Sequence, residues 1–282
     1  MREEGTTVTE CMHGFDEGQC DICFPRVAPE RPATGPIATV RSGRAAGTRA
    51  AAGTGVATAP RASAPSRASA PSRAGASAPA GPPYAKRRLY HATHVRNLES
   101  VLLDGALRPI GPHVQPDVDV SAPIIRELRM DADVGDGRTV ADFVPFWFTP
   151  DADRWVELRD GAEGAHWSAA ARLASPTEFV MLVVEAPAVG EDVVVADGDA
   201  SAPLTRFTVG EPGRAVARLT RDDPTLATAE LLVPGSVPVE SVVLLGVANE
   251  PMRSRVRRMY RDVERTAPKV VLHPPWFTPT EE

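Results

Sequence analysis

Between Val27 and Pro83 the chain carries scarcely any large apolar side chain. The stretch is built from Ala, Ser, Pro, Gly and Arg, and it repeats Ala-Ser-Ala-Pro-Ser-Arg in tandem at 62–67 and 68–73. Fixing one residue costs about 1–2 kcal/mol of backbone entropy, and nothing here could be buried to offset that. Residues 27–83 are therefore expected to be a disordered linker, stiffened by its prolines. That expectation divides the 282 residues into a short N-terminal piece, 1–26, and a body, 84–282. Only the body is long enough to bury a sizeable core.

Charge separates along the same lines. From Arg26 to Arg88 the only acidic residue is Glu30, whereas the whole chain has a net charge of -6. A basic arm on an acidic body fits a polyanionic partner, nucleic acid being the simplest, although a solvated linker would read the same way. No apolar run reaches the roughly 18 residues of a membrane span. The start, MREEGTTVTE, has neither a basic nor an apolar signal region, so a cytoplasmic protein is expected, with no membrane partner.

All three cysteines fall in CMHGFDEGQCDIC. Cys11, His13, Cys20 and Cys23 offer the four soft or borderline ligands of a structural zinc site, with Cys20-x-x-Cys23 at knuckle spacing. So short a stretch has no core, so zinc would have to supply its folding energy. A redox pair or an unstructured tail is the other reading of this stretch.

In the body, Asn97 opens a helical period through Leu98, Val101, Leu102 and Leu107, with Gly105 near its end. Strand-like runs lie at Glu178–Ala186, Glu191–Asp197, Ala229–Gly235, Glu240–Ala248 and Lys269–His273, and a basic amphipathic helix lies between the last two. An early helix followed mostly by strands argues for an α+β fold rather than a doubly wound parallel sheet. No GxGxxG follows a strand and no P-loop is present, so Rossmann and NTPase chemistry has no support.

Three islands could carry chemistry. His91 and Thr93 precede the first helix, where backbone N–H groups can meet a ligand, or they and Asn97 could simply cap it and fill the core. Arg126 and Arg129 precede a Gly-rich turn, and DFVPFWF then packs four aromatics into seven residues, either simply a core strand or a mix suited to stacking a flat ring beside phosphate. Glu230 heads an apolar strand, where a carboxylate is costly unless paired, functional or turned to solvent.

Taken in order, LYHATHVRNLESVLLDGAL, RELRMDADV, VADFVPFWFTP and ATAELLVPGSVPVESV resemble the DarT family, toxins that ADP-ribosylate single-stranded DNA with NAD. The resemblance covers Tyr84 to about Phe277 and departs from the family where Phe143 and Trp147 replace tyrosines. It implies an ADP-ribosyltransferase-like split β-sheet core with flanking helices. It implies that His91, Ala92 and Thr93 hold the nicotinamide end of NAD, and that Ser100 and Arg108 flank the co-substrate from the following helix. It assigns Arg129 and Glu230 as the catalytic pair and Arg206 to Ala229 as a substrate-selecting loop rich in arginine. In the family the arginine is the proton acceptor; a guanidinium with a pKa above about 12 is a poor base, so for Arg129 stabilising a deprotonated imide or binding the NAD pyrophosphate fits as well. The implied partners are single-stranded DNA, modified on thymine or guanine, and a macrodomain-type antitoxin that removes the mark. The alternatives are an RNA or protein acceptor, or a non-catalytic adaptor that grips nucleic acid through zinc and arginine.

Overall fold

The computed structural model describes residues 82–111 and 114–280. The knuckle expected at Cys11, His13, Cys20 and Cys23, and the linker as far as residue 81, lie outside them. In chain order the described elements begin with β1 (Arg88–His94), α1 (Val95–Asp104), β2 (Ala106–Leu107), α2 (Pro123–Asp131), β3 (Asp133–Gly135) and β4 (Arg138–Thr139). They continue with β5 (Phe143–Trp147), α3 (Asp153–Arg159), α4 (Ala169–Leu173), β6 (Phe179–Glu185), β7 (Val194–Ala196) and β8 (Phe207–Val209). The last are α5 (Pro212–Asp222), β9 (Glu230–Pro234), β10 (Val237–Pro238), β11 (Val242–Val247), α6 (Glu250–Asp262) and β12 (Lys269–Leu272). The five apolar runs of the sequence are β6, β7, β9, β11 and β12, and the class is α+β as the pattern implies.

Eight strands form one mixed sheet in the order β12-β11-β6-β1-β5-β9-β7-β8. β11 and β12 run parallel and the other neighbours antiparallel. The seam between β1 and β5 is nearly unsewn. β1 pairs with β6 over all seven residues, yet meets β5 only at Tyr90 and Trp147. Pro145, two residues before Trp147, has no N–H to give a ladder, which helps end the pairing there. Beyond that bridge, the C-terminal half of β1 diverges from β5. The sheet is split at its middle.

Packing follows the split. On one face a single core cluster runs under both halves, joining Val180, Leu182 and Leu245 to Leu89, Phe146, Leu231 and Val233, with α1, α5 and α6 contributing Leu98, Val216 and Val256. On the other face there are two separate clusters. One gathers Met181, Val183 and Leu244 with Trp155, Trp276 and Phe277; the other gathers Phe143, Val194 and Leu232 with Val134 and Val140.

Helix α1 shows how local chemistry fixes an element. Val95, Leu98 and Leu102 lie at helical spacing and are buried. The N-cap is His94, whose Nδ1 accepts from the Arg96 N–H, and not Asn97 or Thr93 as the capping alternative had it. Gly105 closes the helix at φ 76°, a left-handed conformation that glycine adopts freely, with its N–H on the Val101 carbonyl. Leu107 lies past the helix, in β2.

The sequence expectation fails between Arg206 and Ala229. The segment is not one loop: it holds β8 and the 11-residue helix α5, which buries Ala215 and Val216 in the continuous core. Its arginines point off that amphipathic helix or the adjoining strand: Arg218 bonds Thr208 and Arg214 bonds Glu211, both exposed. The arginine spacing fitted a charged loop, but the small apolar residues between them complete a helical face.

Candidate active site

The split opens a cleft of about 270 Å³ lined from both halves of the sheet, from α1, α2 and α3, and from the segment 114–121. His91, Ala92 and Thr93 form its floor on β1, while Phe143, Pro145 and Trp147 face them from β5. The His91 side chain reaches across the seam, where Nδ1 donates to the Pro145 carbonyl at 2.8 Å. A carbonyl only accepts, so the proton sits on Nδ1 and Nε2 keeps its lone pair. Burial pushes His91 below the usual histidine range, the Arg129 charge adds to that, and the Pro145 hydrogen bond opposes it. His91 is thus a neutral acceptor at pH 7.

Glu230 enters from β9, directly opposite Trp147 in register, on the face where the two clusters leave a gap. Its side chain is 4% exposed and each carboxylate oxygen has a donor. Oε2 lies 3.4 Å from Arg129 Nη1 and Oε1 accepts the Ala200 N–H at 3.3 Å. Arg129 comes from the last turn of α2, a helix with no buried residue that packs against the 3-10 turn Val140–Asp142 and β4. Its Nη2 is buried and makes no hydrogen bond among the described residues. A cation paired on one side and unsatisfied on the other suits an added acceptor in the cleft.

A family model described as "ssDNA thymidine ADP-ribosyltransferase, DarT" matches residues 90–278. The chain belongs to the DarT family. Three solved DarT structures share the fold. Thermus sp. 2.9 DarT in complex with ADP-ribosylated ssDNA is 22% identical, has a TM-score of 0.58, and is matched over 68% of this chain and 96% of its own. The same enzyme in complex with NAD+ gives 22%, 0.54, 70% and 99%. Thermosipho africanus DarTG in complex with ADP-ribose gives 19%, 0.52, 68% and 51%. No curated protein matches the chain.

Within this DarT cleft the residues expected from the sequence come together: His91, Ala92, Thr93, Ser100, Arg108, Arg129 and Glu230 all line it. Arg108 does so from the segment after β2, not from α1, and it pairs with Asp104 at 3.3 Å. The arginines of 206–221 do not line it. Two lining residues carried no sequence signal. Arg154 of α3 ion-pairs with Asp199, lies 3.6 Å from Glu157, and stacks over Trp167 with its carbon 5.7 Å from the ring centre. Burial pushes its pKa down, while Glu157 and Glu230 hold it up. Asp199 also accepts from the Ser201 N–H and hydroxyl at 2.9 and 2.8 Å, fixing the turn that aims the Ala200 N–H at Glu230. Arg154 and Asp199 are 45 residues apart, so only the fold shows them as a pair.

No helix among the described residues is long and apolar enough to cross a membrane.

Proposed function

We propose that the chain transfers ADP-ribose from NAD to a thymine base of single-stranded DNA, with Glu230 and Arg129 as its catalytic residues. The observation that carries the reading is the buried Glu230 carboxylate, held by Arg129 and the Ala200 N–H, in an open cleft at the split of the sheet. Breaking the nicotinamide–ribose bond builds positive charge on the ribose, and a fixed carboxylate in a water-poor site stabilises it. Glu230 also accepts from a ribose hydroxyl. His91 Nε2 accepts from the carboxamide N–H of nicotinamide, and the Ala92 and Thr93 backbone holds the same group. Ser100 and Arg108 bind toward the far end of NAD.

The base attacks the ribose carbon through a ring nitrogen, forming the N-glycosidic bond as nicotinamide leaves, and its imide proton goes to solvent or to a base at the site. Arg129 Nη2, unsatisfied within the protein, donates to the deprotonated imide or to the pyrophosphate. The edge that reacts is hidden in a duplex, which accounts for a single-stranded acceptor. Trp147 on β5 supplies stacking surface at the cleft, while Phe143 beside it is buried in the core. A macrodomain-type antitoxin that removes the mark completes the proposed system, and zinc at Cys11, His13, Cys20 and Cys23 completes the proposed N-terminal domain of residues 1–26, with 27–83 as linker and 84–282 as the catalytic domain.

The test is the intact mass of thymine-only, guanine-only and mixed oligonucleotides after incubation with protein and NAD. One added ADP-ribose on thymine-containing strands, absent with Glu230→Ala, is expected. Modification of guanine alone would overturn the choice of base. Nicotinamide release only with RNA or protein present would overturn the choice of acceptor.

A further inference from the structure

Helix α1 and the segment 114–121 face each other across the cleft mouth, and one side chain joins them. Asn97 Nδ2 donates to the Val118 carbonyl at 2.9 Å, and its Oδ1 accepts the Val118 N–H at 2.8 Å. A single amide thus satisfies both backbone groups of a residue that belongs to no helix or strand, as a neighbouring strand would. Nδ2 also reaches Thr93 Oγ1 at 3.3 Å, so the same side chain touches the cleft floor. Asn97 sits in the first turn of α1, whose cap is already supplied by His94, so its amide is free for this task.

The far end of the segment is tied elsewhere. Asp119 pairs with Arg126 at 3.0 Å, the Ser168 hydroxyl donates to the Asp119 carbonyl, and Ser121 bridges Trp167. Among the described residues, Asn97 supplies every hydrogen bond between α1 and the segment. Val114, Pro116, Val118 and Val120 line the cleft from this strap, opposite Ser100 and Val101 of α1.

We infer that Asn97 is a positioning residue: by clamping Val118 it holds the strap across the cleft and preforms the wall against which NAD binds. This inference rests on the NAD reading above. Asn97 touches no reacting atom; its effect is on the geometry of residues that do touch NAD. A preformed wall spares the ligand the cost of ordering it, so the clamp acts on affinity and leaves the chemical step alone.

The experiment compares wild type, Asn97→Ala and Asn97→Asp in the full chain. Asn97→Asp keeps the acceptor for the Val118 N–H and loses the donor to its carbonyl. Amide hydrogen exchange without NAD is read first. Residues 114–118 are expected to exchange faster in Asn97→Ala, less so in Asn97→Asp, with β6 and β11 unchanged. KM for NAD is expected to rise about tenfold in Asn97→Ala, the loss expected for roughly one net hydrogen bond, with kcat within about twofold. Unchanged strap exchange, or a fall in kcat at constant KM, would overturn the clamp. Faster exchange in β6 and β11 would also overturn it, assigning Asn97 to general stability. A wild type that binds no NAD would sink the functional reading while the exchange arm still reports on the clamp.

Discussion

Arg129 reaches Glu230 from 101 residues earlier in the chain, placing Nη1 3.4 Å from the carboxylate while Nη2 stays buried and unsatisfied. Each carboxylate oxygen thus has a donor and keeps acceptor capacity, whereas the guanidinium has one arm unsatisfied. This asymmetry separates the two residues' roles. Glu230→Gln keeps shape and acceptor but removes charge, and the expected loss in kcat is about 10²- to 10³-fold. Arg129→Lys keeps charge but cannot serve two directions with one fork, and about 10²-fold is expected from that change. Oligonucleotide mass after timed incubation measures both. Activity within twofold of wild type for either variant would contradict the assignment.

Asp199 offers a cleaner separation of position from chemistry. Asp199→Asn retains the turn acceptor for Ser201 but loses the ion pair to Arg154. The Ala200 N–H then aims less firmly at Glu230, and kcat is expected to fall about tenfold, equivalent to about 1.4 kcal/mol. KM for NAD is expected to stay within about twofold, since Asp199 holds the loop and not the ligand. Steady-state kinetics against NAD would show the split.

His91 sets a pH dependence. Its folded pKa is depressed, mainly by burial, so the unfolded chain takes up a proton first as the pH falls below the ordinary value of about 6.5. Its contribution to stability is complete above that value and is lost as the pH falls through the folded pKa. His94 is depressed as well, again mainly by burial, and adds a parallel loss. The melting temperature is expected to drop between pH 7 and pH 5, and His91→Gln is expected to make that drop shallower. An equally steep drop in the variant would show that His91 titrates alike in the folded and the unfolded chain, contradicting the depressed folded pKa.

The zinc site proposed at Cys11, His13, Cys20 and Cys23 makes a separate prediction. The full chain is expected to hold one zinc, measured by elemental analysis, and Cys20→Ser is expected to release it. Zinc content equal in the two proteins would remove the knuckle.

The apolar strands were legible because each is an unbroken Val- and Leu-rich run between breakers, as in Glu178–Ala186 and β6. β1 was not: Arg88–His94 mixes charge, ring and hydroxyl, since half of it faces a cleft and the sheet's split leaves no simple alternation. α5 is hard to read because Arg214, Arg218 and Arg221 recur through it, and the face it buries is made of the small side chains of Pro212, Ala215, Val216 and Thr220. Among site residues, those carried by the resemblance fell into the cleft, whereas Asn97, Arg154 and Asp199 act through partners 21 and 45 residues away. No spacing rule encodes such pairs.

The two faces of the sheet have unlike mechanical characters. One apolar layer runs unbroken beneath both four-stranded halves, like the spine of a book, while on the opposite face each half has its own separate core. Between β1 and β5 the sheet itself adds only one bridge and the His91–Pro145 hydrogen bond, so that layer carries most of the connection between the halves. A molecule gripping both pages at once, His91 on one and Glu230 on the other, would add the tie that the open face lacks.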